Sequence, residues 1–228
     1  MPDMKVSLCA FADEASPSLD GQIAALKRNG VSFLEIRGVD GRNVSKLSEK
    51  EVREVAMRLS DAGIRTFSVG SPIGKIRLDE DFEAHLDTFR RLCEYACILG
   101  ASRMRIFSFY AAEGKDFDRD AVFSRLDRLC EAAPRELCLC HENEKSIYGD
   151  TPERCVEIFS ALPRLRAVFD PANFVQCGVD TLKAWECLHT FVDYIHIKDA
   201  LHDGTVVPAG KGEGNVARII GSYLAQGG

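Results

Sequence analysis

Three residues with metal-binding side chains stand at or near the ends of three successive apolar segments. Glu142 follows LCLCH, Asp170 ends LRAVFD, and His196 lies within YIHIK. Carboxylate oxygens and imidazole nitrogens are ligands for divalent ions such as Mn²⁺, Mg²⁺, Co²⁺ or Zn²⁺. Each residue alone also has an ordinary explanation, as a loop carboxylate, a turn former and a core histidine respectively. Their occurrence at three consecutive segment ends favours a shared site for a cation.

These segments belong to a series of seven short β-type segments that alternate with longer helical patterns. We predict strands at residues 5–11, 32–37, 64–70, 103–109, 137–141, 165–170 and 194–198. Strands that alternate with helices pair in parallel, which leaves a doubly wound open sheet or a (β/α)8 barrel. No Gly-rich dinucleotide fingerprint follows the first strand, and about 33 residues per unit fit a barrel. We therefore expect one TIM-type α/β domain over residues 1–228, with its chemistry at the carboxyl ends of the strands.

Local signals predict where several helices begin and end. A helix at 19–28 stops at Asn29-Gly30, and a longer one at 81–99 stops at Gly100. Ser48, with Glu51 three residues later, forms a capping-box pattern. The segment DTPE at 150–153 opens a further helix with proline in its first turn, and a final helix covers 216–225.

Strand periodicity predicts a polar lumen, because side chains two residues apart point to the same face of a strand. His196 and Lys198 share one face of the last strand, and Glu35 and Arg37 share one face of the second. Such a lumen suits a sugar-like ligand, and we expect Arg37 to contact it. The alternative for Glu35 and Arg37 is an ion pair inside the barrel.

The composition excludes several classes of protein. The chain has 228 residues, 46% hydrophobic and 28% charged, with a formal net charge of −6. A pI near 5.5 argues against nucleic-acid binding, and no apolar run has the length of a membrane span or the form of a signal peptide. Nine cysteines, most of them within apolar segments, indicate reduced thiols in a cytoplasmic protein.

Several longer motifs resemble those of the xylose isomerase-like superfamily of (β/α)8 barrels. They are LEIRGVDGRNV, GSPIGK, HENEKSIYGDTPERC, FDPANF, YIHIKDA and VPAGKGEGN. The resemblance covers nearly the whole chain and points to the branch of sugar and sugar-phosphate isomerases and epimerases. It implies a bound divalent metal and a small sugar or sugar phosphate as substrate.

The resemblance also implies roles for individual residues. Glu142 matches a metal ligand that is also the general base of the epimerases, and Asp170 and His196 match two further ligands. Lys198 lies in an HxKD pattern and is a catalytic candidate for contact with ligand oxygens. Asn173 stands where many relatives have a histidine. The expected substrate-binding residues are Arg37, Lys75, Glu144, Asn173 and Lys211, and the two lysines are candidates for a phosphate or carboxylate group.

The glycine-rich loop before the last predicted helix permits two interpretations. Gly210, Gly212 and Gly214 would let backbone N–H groups approach an anion at the start of that helix. The alternative is a flexible turn.

The C-terminal end departs from the family pattern. Relatives have an eighth strand after the last helix, and this strand supplies a second catalytic Glu that is also the fourth metal ligand. Here Gln226-Gly227-Gly228 follows the helix. We therefore expect an incomplete barrel of about seven βα units, whose open edges a homodimer would cover.

The resemblance implies a metal-dependent sugar or sugar-phosphate isomerase or epimerase. Glu142 would remove a proton next to a carbonyl to give an enediolate that the metal stabilises. Two alternatives stay open: an inosose-type dehydratase, whose reaction starts with the same proton removal, and a non-catalytic sugar- or metal-binding barrel without the second acid/base. A phosphodiesterase like the related apurinic endonucleases would need a His-rich site, and the chain has five histidines.

Overall fold

The computed structural model describes residues 6–227 as a curled parallel β-sheet covered by helices. In chain order its strands are β1 (Cys9–Ala10), β2 (Phe33–Ile36), β3 (Gly38–Val39), β4 (Arg42–Asn43), β5 (Arg65–Gly70), β6 (Arg103–Ile106), β7 (Cys138–Glu142), β8 (Leu165–Phe169), β9 (Val192–Ile195), β10 (Asp199–Ala200) and β11 (Val206–Val207). Within residues 6–227 seven strands form one sheet in the order β1-β2-β5-β6-β7-β8-β9, with every neighbouring pair parallel. The prediction of an incomplete TIM-type barrel with about seven βα units is confirmed.

Helices connect successive strands of this sheet, as right-handed βαβ units require. They are α1 (Leu19–Arg28), α2 (Glu49–Asp61), α3 (Phe82–Leu99), α4 (Arg119–Ala132), α5 (Pro152–Ala161), α6 (Pro171–Gln176), α7 (Thr181–Leu188) and α8 (Val216–Ala225). The predicted capping box at Ser48 and Glu51 is present, and Gly100 ends α3 with a left-handed φ of 67°. Across residues 6–227, no helix combines the length and the apolar character that crossing a membrane requires.

All seven predicted strands differ from the observed bounds, four of them by no more than one residue at either end and three by more. The first covers Cys9–Ala10 rather than 5–11, and residue 5 lies outside the described part of the chain. The fourth ends at Ile106, because the backbone N–H of Phe107 turns to the carbonyl of Ile73 and leaves the sheet. The last ends at Ile195, so His196 and Lys198 lie just after the strand rather than on it.

The two faces of β7 show how the sheet separates a helix-facing core from a lumen. His141 is fully buried, and its ring packs edge-on against Phe159 of α5 at 5.8 Å, so its face is the outer one. Cys138, Cys140 and Glu142 alternate with it and therefore face the lumen. Register places lumen residues of neighbouring strands in layers, so that side chains from different strands meet inside the barrel.

The sheet curls far enough for its two ends to touch through side chains. The hydroxyl of Tyr194 on β9 donates to Oε1 of Glu35 on β2 over 3.0 Å, across the lumen. In the sheet that residues 6–227 form, β1 and β9 are the edge strands. Contacts across the lumen therefore link the two ends of the sheet near its carboxyl rim.

Candidate metal centre

The three predicted metal ligands converge at the carboxyl rim of the sheet. Glu142 is the last residue of β7, Asp170 follows β8, and His196 follows β9. One donor atom from each lies within 4.8 Å of the others. Parallel strands bring their carboxyl ends to one rim, which is why residues far apart in sequence meet here.

Asp170 has both a structural and a site-forming role, because its two oxygens face different partners. Oδ1 accepts the N–H of Asn173 over 2.9 Å and caps the start of α6. Oδ2 lies 3.9 Å from Nδ1 of His196 and 3.7 Å from Nζ of Lys198. The turn-forming and metal-ligating interpretations of Asp170 are therefore compatible.

Both ring nitrogens of His196 lie within hydrogen-bond distance of a carboxylate. Nδ1 lies 3.0 Å from Oε1 of Glu142, on the side of the ligand cluster. Nε2 lies 3.1 Å from Oε2 of Glu35, which is 2% exposed. Tyr194 and Ser68 in turn hydrogen-bond Oε1 of Glu35. This chain of contacts fixes the imidazole plane with Nδ1 toward the cluster, an arrangement that carboxylate partners of metal-binding histidines commonly produce.

The pairing of Glu35 with His196 corrects the hypothesis of an ion pair between Glu35 and Arg37. β2 ends at Ile36, so Arg37 leaves the sheet and pairs with Asp13 over 2.8 Å and with Glu14 over 2.5 Å. Parity along the strand was a correct guide to the orientation of Glu35 and gave no information about its partner.

Sequence reasoning missed Arg105, which lies on β6 and is 7% exposed. Its Nη1 lies 3.1 Å from Oε2 of Glu142, and its Nη2 donates to the carbonyl of Ser71 over 3.2 Å. The alternation of RMRI, with arginines at 103 and 105 in an otherwise apolar strand, was the available signal that both face the lumen.

Burial and mutual charge set the ionisation of the cluster. Burial opposes ionisation of Glu142, but His196 and Arg105 outweigh it and hold the pKa of Glu142 well below its ordinary value. Burial and the charge of Glu142 raise the pKa of Asp170 to about 7. Burial disfavours the imidazolium, yet Glu142 and Glu35 raise the pKa of His196 to about 10. A proton on His196 therefore supplies the positive charge that the carboxylates require.

The donor set fits a divalent cation. Oε2 of Glu142 is buried and, among the described residues, has no hydrogen-bond partner of good geometry, although Arg105 lies beside it. Two carboxylates and one imidazole suit Mn²⁺, Mg²⁺, Co²⁺ or Zn²⁺. A divalent ion would place positive charge where the His196 proton now provides it.

Asn173 and Lys198 lie directly beside the cluster. The amide of Asn173 donates to Oε1 of Glu142 over 3.2 Å and to the carbonyl of Asn143 over 2.9 Å. Its Oδ1 accepts from Nζ of Lys198 over 2.9 Å. Asn173 is 1% exposed, so it acts within the structure by positioning Glu142 and Lys198, and its contact with substrate stays a prediction.

The other predicted substrate-binding residues lie at different distances from the cluster. Lys75 and Glu144 pair with each other over 3.0 Å, and Nζ of Lys75 lies 4.2 Å from the ring centre of Phe107. Arg105 contacts the same ring at 4.7 Å, which links the Lys75–Glu144 pair to the cluster. Lys211 is exposed in the loop before α8, where the N–H groups of its two neighbours, Gly210 and Gly212, bond to Asp199, and its contact with substrate stays a prediction.

The glycine-rich loop encloses an anion that the chain itself provides. The fully buried carboxylate of Asp199 accepts the N–H groups of Gly210, Gly212 and Gly214 over 2.8–2.9 Å. A Cβ at Gly212 or Gly214 would lie 2.5 or 2.7 Å from Oδ1 of Asp199, so this close approach requires glycine. Both earlier interpretations, an external anion and a flexible turn, are therefore wrong.

Comparison of the sequence with profiles of known protein families assigns this chain to one of them. The family profile described as xylose isomerase-like TIM barrel matches residues 23–221. The chain belongs to this family. Among curated proteins, the comparison found no match for the sequence.

Solved structures of the xylose isomerase-like TIM barrel fold resemble the chain over nearly all of its length. AsbF, a probable 3-DHS dehydratase involved in petrobactin synthesis in Bacillus anthracis, is 19% identical, with 97% of this chain and 89% of that chain covered and a TM-score of 0.78. A D-tagatose 3-epimerase-like protein is 18% identical over 98% of this chain and 86% of that chain, with a TM-score of 0.78. A family protein from Mycobacterium smegmatis in complex with magnesium is 17% identical over 96% and 86%, with a TM-score of 0.75.

Proposed function

We propose that this chain is a divalent-metal-dependent isomerase or epimerase of a small sugar or sugar phosphate. The observation that carries the proposal is the convergence of Glu142, Asp170 and His196 at the carboxyl rim, where one buried carboxylate oxygen has an ion-pair neighbour but, within residues 6–227, no hydrogen bond of good geometry. These three residues would hold the ion, which when bound acts as a Lewis acid toward a carbonyl oxygen. The epimerase-like and magnesium-containing relatives support this choice within the family.

Glu142 is our candidate for the general base. Because its pKa is held below the ordinary value, its carboxylate is ionised at neutral pH and is ready to accept a proton from a carbon next to a carbonyl. Asn173 and His196 fix Oε1, and Arg105 lies beside Oε2. These contacts orient the carboxylate, and in the described part of the chain Oε2 is its oxygen without a hydrogen bond of good geometry.

Lys198 is our candidate for the group that contacts substrate oxygens and returns a proton. Its side chain is 39% exposed, so Nζ reaches both the solvent side of the rim and Asp170 at 3.7 Å. The hydrogen bond to Asn173 limits its motion and aims the ammonium group at the cluster. We propose that Arg37, Lys75, Glu144 and Lys211 contact more distant polar groups of the substrate.

Two measurements on the purified chain test this proposal. Elemental analysis after incubation with Mn²⁺, Mg²⁺ or Co²⁺ should give near-stoichiometric metal, and the Glu142→Gln, Asp170→Asn double variant should lose it. In D₂O, NMR of a panel of ketoses, aldoses and their phosphates should show deuterium entering at the carbon next to the carbonyl. Product analysis then separates isomer, epimer and elimination product, and the last of these would assign the site to a dehydratase.

Asp203→Asn is the matched control, because Asp203 is an exposed carboxylate in the loop after β10. This variant should keep the metal content and the exchange rate of the unaltered chain. Absence of metal from every variant would contradict the metal site. Metal binding without deuterium exchange on any substrate of the panel would favour a non-catalytic binding barrel.

A further inference from the structure

Two cysteine thiols lie next to each other in the lumen, on the amino-terminal side of Glu142. Cys138 and Cys140 are two residues apart on β7, so both side chains point to the same face. Their Sγ atoms are 3.7 Å apart. Cys140 is fully buried, whereas Cys138 is half-buried. The two sulfur atoms are thus close enough for one to react with the other, and one of them is accessible.

Neighbouring strands place two arginines in register with these cysteines. Arg103 on β6 is the register neighbour of Cys138, and Arg166 on β8 is that of Cys140. Asp193 forms an ion pair with Arg103 and offsets one of the two positive charges. Positive charge near a thiol favours the thiolate, which is the nucleophilic form of sulfur.

The two thiols differ in their accessibility, because Cys138 is half-buried and Cys140 is fully buried. The hydrogen bond from Cys140 lowers the pKa of the Cys138 thiol, against burial and the charge of Asp193, which raise it, and with smaller help from Arg103 and Arg166. Burial also raises the pKa of other core thiols, such as Cys93, to about 12. Accessibility identifies Cys138 as the nucleophile and Cys140 as its partner.

We propose that Cys138 and Cys140 form a reversible dithiol–disulfide site that reacts with hydroperoxides. The Cys138 thiolate attacks the peroxide oxygen, the O–O bond breaks, and water or an alcohol leaves, so that Cys138 becomes a sulfenic acid. The thiol of Cys140 then attacks Sγ of Cys138, the S–O bond breaks, and a second water leaves with the thiol proton. Two thiols are oxidised to one disulfide while the peroxide is reduced by two electrons.

Strand geometry predicts that this disulfide is easily reduced. Residues two apart on a strand have Cα atoms about 6.6 Å apart. That separation is near the long end of the usual range for disulfides, about 4.4–6.8 Å, so closure strains the bridge. Strained disulfides have more oxidising potentials than structural ones, and glutathione should reopen this one.

Peptide mapping of the full chain after treatment with hydrogen peroxide tests the proposal. Trypsin releases residues 136–145, which contain Cys138 and Cys140 and no other cysteine. This peptide should lose two hydrogens and resist alkylation, and glutathione should reverse both changes. Residues 92–103 form the matched control in the same digest, because they hold Cys93 and Cys97 on a helix. Equal oxidation of both peptides would overturn the proposal.

Variants separate the roles of the two sulfurs. In Cys140→Ser, dimedone should label Cys138 as a trapped sulfenic acid, whereas Cys138→Ser should show no label at Cys140. Arg103→Met should slow bridge formation several-fold, because the charge that favours the thiolate is lost. The Glu142→Gln, Asp170→Asn variant should oxidise like the unaltered chain, since this site does not rest on the metal centre. Stoichiometric Zn²⁺ that is lost on replacing both cysteines by serine would instead show a metal site and contradict the proposal.

Discussion

The two ends of the barrel lumen carry different reactive groups, although one strand serves both. At the carboxyl end of β7, Glu142 lies with Asp170 and Glu35 around the ring of His196. At its amino end, Cys138 and Cys140 lie between arginines of the neighbouring strands. The carboxyl end therefore presents the donor atoms of a cation site, and the other end presents a close pair of thiols. The comparison teaches that the neighbouring strands, more than the strand itself, decide the chemistry of each layer.

Arg105 on β6 lies level with Cys140, between the two ends of the lumen. Replacing Arg105 should have the largest effect on stability of the changes considered. Arg105→Met leaves the buried carboxylate of Glu142 without its guanidinium partner. We expect the free energy of unfolding of the metal-free protein to fall by about 3–5 kcal/mol, the usual cost of breaking a buried ion pair. Urea denaturation of the two proteins without metal measures the difference, and Mn²⁺ should restore part of it by supplying positive charge.

Arg103→Met is the control from the other end of the lumen. Arg103 is 29% exposed in its side chain and pairs with Asp193, which is 18% exposed. Solvent screens such a pair, so its removal should cost about 1 kcal/mol or less. Equal losses for the two arginine variants would show that the ends do not differ in the way we describe.

Much of the fold and the metal ligands could be predicted from local patterns. Alternation of apolar segments fixed the order of strands, and parallel strands necessarily bring their carboxyl ends to one rim. This is why Glu142, Asp170 and His196 were recognised without knowledge of any contact. Exact strand ends were less predictable, because the backbone of Phe107 leaves the sheet for a carbonyl more than thirty residues earlier in the chain, that of Ile73.

Partners across the lumen could not be predicted in the same way. The orientation of Glu35 followed from strand parity, but its partner His196 is 161 residues away in sequence. Prediction was limited in the same way at the glycine-rich loop. The local sequence indicated backbone freedom at residues 210–214, but it did not reveal that the carboxylate of Asp199 accepts the N–H groups of this loop. Local patterns thus predict which face a side chain occupies, and long-range packing decides what it meets there.

A substitution at Asp199 tests whether every buried carboxylate near the rim belongs to the metal centre. Unlike Glu142, Asp199 is saturated by backbone N–H groups, which include that of Ala200 at 3.0 Å. Asp199→Asn puts an amide donor against these donors, and we expect a loss of about 2–3 kcal/mol in the free energy of unfolding. Urea denaturation measures the loss, and hydrogen exchange should show faster exchange of the amides at 210, 212 and 214.

The exposed Asp203 supplies the control for this loop. Asp203→Asn should change stability by less than about 0.5 kcal/mol. Metal content should be the same in both asparagine variants, because Asp199 is not among the proposed ligands. Loss of metal from Asp199→Asn, with its fold intact by circular dichroism, would mean that the cation-binding region extends to the glycine loop.

Replacing Glu35 should have a smaller effect than the changes above, and the effect should be on metal affinity rather than on the stability of the fold. Glu35 holds Nε2 of His196 and thereby directs Nδ1 toward Glu142 and Asp170. Removal of a carboxylate that orients a metal-binding histidine typically lowers affinity by about 10–100-fold. We expect Glu35→Gln to weaken Mn²⁺ binding by this factor in isothermal titration calorimetry, whereas Glu54→Gln, an exposed change on α2, should leave it unaltered. Suppose instead that Glu35→Gln binds Mn²⁺ as tightly as the unaltered chain while Glu142→Gln does not bind it. Metal binding would then depend on the three ligands and not on Glu35. The contact between Glu35 and His196 would serve to hold the two ends of the sheet together.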